Sequence, residues 1–147
     1  MKRFERGVSS LYILAGVVVA LVILGVFVAP RVLKQSERAL HAKASKMMEE
    51  LIVALDLYAK DNGDYPTTEQ GLKALWEKPE THPIPLNWNG PYISEPITKD
   101  PWGREFIYIR PGIHNRYTYD LISYGSDGME GGKGTAEDLT NWIEETE

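Results

Sequence analysis

The stretch "RGVSSLYILAGVVVALVILGVFVAP", residues 6–30, is too apolar for a protein surface and too long for the core of a small domain. Its middle, residues 11–29, has no charged side chain and is rich in valine, leucine and isoleucine. A helix of this length reaches about 28 Å, close to the thickness of the bilayer's hydrocarbon layer. We therefore predict that this stretch is a permanent membrane-spanning helix. The alternatives are a soluble core helix and a cleaved secretory signal, although such a signal has a shorter apolar region ending in small residues.

Charge is distributed unevenly along the 147-residue chain. Residues 1–46 carry eight lysines and arginines against two acids, a net charge of +6, whereas residues 47–147 carry eight against nineteen, a net charge of −11. Because basic residues flank the apolar stretch on both sides, the positive-inside rule does not orient it. The acidic remainder lacks the clustered basic face that nucleic-acid binding requires, so we expect no nucleic-acid partner.

Residues 31–60 continue as an amphipathic helix. Joined to the apolar stretch, they predict one helix of about fifty residues and ~75 Å, with Pro30 as the place for a bend. So long a helix protrudes beyond any domain that this chain can build, and its exposed apolar half needs lipid or identical neighbours. Apolar side chains recur at spacings of three and four along one stripe: Leu40, Ala44, Met47, Leu51, Leu55 and Tyr58.

Turn residues mark the end of the long helix and the start of a short one. In "DNGDYP", residues 61–66, Gly63 is placed to cap the long helix. The stretch "TTEQGLKALWEKP", residues 67–79, begins with the capping-box pair Thr67 and Gln70 and predicts a short helix.

Two later stretches alternate apolar or aromatic residues with polar ones. They are "EFIYIR", residues 105–110, and "RYTYDLISYG", residues 116–125. This period of two predicts antiparallel strands joined through "PGIHN". The three histidines of the chain lack metal-ligand spacing, and we expect His114 of that turn to be structural rather than functional.

The loop that follows the second strand, "SDGMEGGKGTAEDLTNW", residues 126–142, is rich in glycine and acids. Calcium takes six to eight oxygen ligands from carboxylates, carbonyls and water, and glycines let the backbone curl around such an ion. The spacing is not that of an EF-hand, and the residues alone leave an ordinary solvated turn open. The candidate ligands are Ser123, Tyr124, Asp127, Met129, Glu137 and Asp138.

Enzyme signatures are lacking in the sequence. The chain has no cysteine, which excludes disulfides and thiol catalysis. The segment "GGKGT", residues 131–135, lacks both the first glycine and the Ser or Thr of a phosphate-binding loop. No serine has a recognisable base partner, so we expect a protein that is not an enzyme.

Taken together, "DNGDYPTTEQGLKAL", "KDPWGREFIYIRPGIHNRYTYDLISYGSDG" and "EDLTNW" resemble the major pseudopilins of bacterial type II secretion systems. These proteins belong to the type IV pilin-like superfamily. The resemblance implies an α+β fold, in which one long N-terminal helix, transmembrane in its first half, packs on a small C-terminal antiparallel sheet with a calcium-binding loop. It also implies a structural subunit that polymerises into a periplasmic filament and helps to drive folded proteins across the outer membrane.

The resemblance further implies three segments. Residues 1–7 would be a prepilin leader, cut by a prepilin peptidase between Gly7 and Val8, with Val8 then N-methylated. Residues 8–30 would be the transmembrane and assembly half of the helix, and residues 31–147 the periplasmic globular domain. The subunit would cross the inner membrane once with its N-terminus in the cytoplasm, and enter the periplasmic pseudopilus after assembly. Its partners would be copies of itself, minor pseudopilins and the inner-membrane secretion platform.

For the calcium loop, the resemblance implies carboxylate ligands from Asp127 and Asp138 and carbonyl ligands from Tyr124 and Met129. Glu137 stands where the family often has aspartate, and would share the carboxylate role.

Two positions depart from the pattern of the family. Tyr12 occupies the fifth mature position, where the family has a glutamate thought to pair with the methylated amine of a neighbouring subunit. Pro30 lies about one residue further from the cleavage site than usual. A minor or tip-type pseudopilin, or an unprocessed single-pass protein that binds a cation or ligand, therefore remain as alternatives.

Overall fold

The structure is a computed structural model that describes residues 5–23, 25–26 and 29–143, with side chains of 5–11 and 29–33 outside the description. The chain divides into two compact units, Met1–Arg38 and Ala39–Glu147. The helices are α1 Glu5–Ile23 and α2 Ala29–Asn62, with short 3-10 helices at Leu72–Leu75 and Gly134–Ala136, and the strands are β1 Ile107–Ile109, β2 Asp120–Ser123 and β3 Leu139–Thr140.

The structure describes the predicted N-terminal helix in two stretches, α1 and α2, and residues 24, 27 and 28 between them lie outside the description. Residues 25–26 between α1 and α2 form a π-helical turn, and Pro30 is the second residue of α2. The predicted cleavage pair, Gly7 and Val8, lies within α1. Most of the predicted leader and parts of the predicted span fall outside the described residues, and no helix among those described is long and apolar enough to cross a membrane.

The amphipathic stripe of α2 packs on the core of the Ala39–Glu147 unit. Ala44, Leu51, Leu55 and Tyr58 are buried as predicted, whereas Leu40 and Met47 are only partly buried. The helix ends at Asn62, and Gly63 caps it with φ +87° and an N–H that donates to the Ala59 carbonyl at 2.7 Å. The core is completed by side chains from the sheet and loops, including Leu72, Leu75, Ile93, Phe106, Tyr108, Tyr119 and Leu121.

The capping box is confirmed, but the helix predicted after it is shorter. The N–H of Thr67 donates to Gln70 Oε1 at 3.1 Å, and the N–H of Gln70 donates to Thr67 Oγ1 at 3.2 Å. The chain then forms only the 3-10 helix Leu72–Leu75. Gly71 intervenes with φ +57°, a left-handed conformation that interrupts an α-helix.

The three strands form an antiparallel sheet in the order β1-β2-β3. The two antiparallel strands predicted from the alternating pattern are confirmed but are shorter than the predicted stretches, and Tyr108 pairs with Leu121 across them. The third strand was not predicted from the sequence. Its Leu139 pairs with Ser123, so the two ends of the acidic loop meet at the same edge of the sheet.

Candidate functional site: the acidic loop

The acidic loop, residues 123–138, leaves β2 and returns to β3. Two backbone hydrogen bonds fold it: the N–H of Gly128 donates to the Tyr124 carbonyl, and the N–H of Ser126 donates to the Thr135 carbonyl, both at 2.9 Å. A Cβ on Gly132, where φ is +92°, would collide with the carbonyl oxygen of Ala136. The loop is therefore closed so tightly that a side chain does not fit at this glycine.

The two aspartates predicted as ligands both bind one short backbone segment of the loop. Asp127 Oδ1 accepts a hydrogen bond from the N–H of Met129 at 3.1 Å, and Asp138 Oδ2 accepts one from the N–H of Gly131 at 2.8 Å. The fold thus brings both carboxylates, eleven positions apart in the sequence, onto residues 129–131.

One carboxylate oxygen of this pair is left without a partner. Asp138 Oδ1 is buried and has no hydrogen bond within the part of the chain that the structure describes. A buried polar atom without a partner costs free energy, and a carboxylate oxygen costs more than a neutral one. A hard cation is the ligand that such an oxygen suits best.

The remaining predicted ligands differ from one another in exposure and in hydrogen bonding. Glu137 and Met129 are exposed, and the Tyr124 carbonyl already accepts the Gly128 N–H. Ser123 is buried and its hydroxyl donates to Asp100 Oδ2 at 3.0 Å, on the side of the sheet core. Among the described residues no three His, Cys, Asp or Glu side chains are grouped to hold a metal. A cation here would therefore need main-chain carbonyls besides the two aspartates.

A second polar centre, around Asp120 at the start of β2, was not predicted from the sequence. Its buried carboxylate accepts the N–H groups of Ile113 at 2.7 Å, His114 at 2.8 Å and Asn115 at 2.9 Å. Burial raises the pKa of Asp120, but these hydrogen bonds and the His114 ring outweigh it, so its pKa lies below the ordinary value. The available signal was an aspartate shortly after a turn rich in Gly and Asn, a pattern that favours side-chain bonds to backbone amides.

The C-terminal segment after β3 is fastened to this centre. The side chain of Asn141 accepts the N–H of Leu121 at 2.9 Å and donates to the Tyr119 carbonyl at 2.9 Å. The Trp142 ring stacks on the ring of His114. The structural role expected for His114 is consistent with these contacts.

The described side chains of α1 present a different kind of surface. Every one of them from Tyr12 to Ile23 is exposed, and Tyr12 itself is 72% exposed. Large apolar patches of this kind on soluble proteins mark sites of association with protein or lipid.

Comparison with known proteins agrees with this architecture. The family described as "Type II secretion system (T2SS), protein G" matches residues 31–142. The type II secretion system core protein G of Vibrio cholerae is 45% identical over 141 residues, covering 95% of this chain and 93% of that protein. The corresponding protein of Pseudomonas aeruginosa is 38% identical over 142 residues, covering 97% and 99%.

A solved structure extends the agreement to the fold. The crystal structure of the major pseudopilin from the type 2 secretion system of enterohaemorrhagic Escherichia coli has a TM-score of 0.61 and 35% identity, covering 78% of this chain and 96% of that one. The pilin-like fold predicted from the sequence is thereby confirmed. The chain belongs to the protein G family of type II secretion systems, the major pseudopilins, which are structural subunits of the pseudopilus and not enzymes.

Proposed function

We propose that this chain polymerises through its apolar N-terminal helix into a periplasmic filament that helps to drive folded proteins across the outer membrane. The observation that carries the proposal is the unbroken exposure of the described α1 side chains, from Tyr12 to Ile23. In water, a helix so apolar associates with other apolar groups. Each Å² of apolar surface removed from water contributes about 25 cal/mol of favourable free energy. The exposed large side chains are Tyr12, Ile13, Leu14, Val17, Val18, Val19, Leu21, Val22 and Ile23.

Before assembly, the same helix resides in the inner membrane. The charge-free run at residues 11–29 supports a single span. Its orientation, with the N-terminus in the cytoplasm and residues 31–147 in the periplasm, is the one that the family resemblance implies. The basic residues ahead of Gly7 support cleavage by a prepilin peptidase between Gly7 and Val8, followed by N-methylation of Val8. Minor pseudopilins and the inner-membrane platform of the secretion system are its further partners.

Contact between neighbouring N-termini in this chain uses Tyr12 in place of a glutamate. A phenol hydroxyl offers a neutral hydrogen bond, which is weaker than a charge-assisted one. We therefore expect its apolar helix to supply more of the association energy than N-terminal pairing does, with Pro30 at the end of the assembly segment.

The acidic loop binds calcium. Asp127 and Asp138 supply carboxylates, the carbonyls of Tyr124 and Met129 supply further oxygens, and Glu137 and Ser123 are the outer candidates. The buried and unpartnered Asp138 Oδ1 is the observation that supports the assignment. Calcium would neutralise the two carboxylates and tie the loop to both strands, which in a chain without disulfides contributes directly to stability.

Mass spectrometry of the chain isolated from filaments tests the proposal. We expect a mature N-terminus at a methylated Val8 and many copies in each filament. Intact Met1 would instead indicate an unprocessed single-pass protein, and a single copy in each filament would indicate a minor or tip subunit. Either result overturns the proposal.

A further inference from the structure

Arg104 joins the acidic loop to a turn that precedes β1. It follows the turn "DPWG", residues 100–103, and its guanidinium donates through Nη2 to the carbonyl of Gly125. The guanidinium carbon also lies 5.7 Å from the centre of the Trp102 ring, in reach of a cation–π contact. The Arg104 side chain thus connects its own turn to the first residues of the acidic loop.

The guanidinium also packs against the far end of the first turn of the loop. A Cβ built on Gly128 would lie 2.9 Å from Arg104 Nε and 3.0 Å from its Cδ. Gly125 and Gly128 both have positive φ, at +49° and +71°, and the Gly128 N–H closes the turn onto Tyr124. Arg104 therefore contacts both glycines of this turn, and Asp127 lies between them in the sequence.

Asp100 holds the arginine from the other side. Its side chain is buried, and Oδ1 accepts the N–H groups of Trp102 at 3.0 Å and Arg104 at 2.9 Å. Its Oδ2 accepts the hydroxyl of Ser123 and lies 3.8 Å from Arg104 Nε. Because Ser123 is the last residue of β2, one buried carboxylate fixes both the arginine and the strand from which the loop departs.

We propose that Arg104 is a built-in cation that forms the first turn of the acidic loop, residues 124–128, before any metal binds. A loop that already has its binding conformation binds its ligand more tightly. The apparent dissociation constant falls as the fraction of molecules in the binding-competent conformation rises. The positive charge of Arg104 also repels the calcium ion. We expect the gain in calcium affinity from the ordered turn to exceed the loss from this repulsion. It rests on the proposed calcium site only for its consequence for affinity.

The test compares Arg104→Gln with Arg116→Gln, which removes the same charge from an exposed residue of the β1–β2 connection. Hydrogen exchange is measured in the presence of a chelator at the amides of Ser126 and Gly128, whose hydrogen bonds close the turn. We expect Arg104→Gln to accelerate exchange at both amides by about tenfold or more. Arg116→Gln should leave both rates unchanged. Equal rates in Arg104→Gln and the parent protein would overturn the proposal.

Calcium titration by calorimetry supplies the second readout. We expect Arg104→Gln to weaken calcium binding several-fold, whereas tighter binding would mean that repulsion dominates and would refute the proposal. If Arg104→Gln does not fold, Arg104→Lys allows the same two measurements. Lysine keeps the positive charge but lacks the planar guanidinium that donates to the Gly125 carbonyl, so the same accelerated exchange is expected. A parent protein that binds no calcium defeats the calcium site, and the exchange comparison, made without metal, still decides the role of Arg104.

Discussion

The indole ring of Trp142 stacks on the imidazole ring of His114, with ring centres 4.0 Å apart and planes inclined by 10°. His114 belongs to the turn between β1 and β2, whereas Trp142 follows β3. The contact therefore closes the C-terminal segment over the turn of the sheet. It also fastens the chain shortly after Asp138, the end of the acidic loop.

Removal of this contact should loosen the C-terminal segment. We expect Trp142→Ala to lower the free energy of unfolding by about 1 kcal/mol, the size of an aromatic pair contribution beyond burial. Urea denaturation measures the change. Ile143→Ala is the matched control, since Ile143 is 92% exposed and should have no effect. Equal losses in the two variants would show that the stack contributes nothing.

The carboxylate of Asp120 should matter more, because it accepts three backbone N–H groups. Asp120→Asn keeps the shape of the side chain but replaces the charged acceptor by a neutral one. Charged hydrogen bonds are worth about 1.5–3 kcal/mol, so we expect a loss of about 2 kcal/mol at pH 7. A change below about 0.5 kcal/mol in urea denaturation would contradict this role.

The same residue predicts how stability responds to acid. The pKa of Asp120 is lower in the folded chain than its ordinary value, so its contribution is complete above about pH 4 and is lost as the pH falls through the folded pKa. Unfolding free energies at pH 7 and pH 3 should therefore differ less in Asp120→Asn than in the parent protein. An equal difference would assign the acid sensitivity to other carboxylates.

The long, periodic features of this chain could be predicted from its sequence, because burial of a stripe or a strand face depends on residue spacing. The stripe through Leu51 and Leu55 and the two antiparallel strands follow this rule, whereas the cap at Gly63 was predicted from its residue type at the helix end. The helix after Thr67 was predicted too long, because Gly71 takes a left-handed conformation that the capping box does not reveal.

The polar contacts depend on distant residues and could not be predicted in the same way. The two-residue strand β3 has no period to detect, and the side chain of the next residue, Asn141, bonds to Tyr119 and Leu121, about twenty positions earlier in the sequence. The contact of Arg104 with the Gly125 carbonyl likewise joins residues that no local pattern connects.

Two neighbouring glycines allow a sharp test of how tightly the acidic loop closes. Gly131 and Gly132 have nearly the same φ, +93° and +92°, but only at Gly132 would a Cβ meet the Ala136 backbone. Gly131→Ala should cost about 1–2 kcal/mol from backbone conformation alone. We expect Gly132→Ala to cost clearly more in the same denaturation experiment, and equal costs would mean that the loop is looser than described.

Calcium should raise the melting temperature of the chain through Asp138. At a calcium concentration one hundred times the dissociation constant, binding adds about 2.7 kcal/mol of stability. We expect this gain, measured against a chelator, to disappear in Asp138→Asn and to persist in Glu130→Gln, an exposed neighbour outside the proposed ligand set. A gain that survives in Asp138→Asn would place the ion elsewhere.

The central claim is that the apolar face of α1 drives assembly, and the yield of filaments from cells with the secretion system tests it most directly. Leu14→Glu places a charge on that face, whereas Leu86→Glu makes the same change at a leucine of the Ala39–Glu147 unit that is 90% exposed. We predict that Leu14→Glu abolishes filaments and that Leu86→Glu retains them. Filaments at the parental level in Leu14→Glu would contradict the claim.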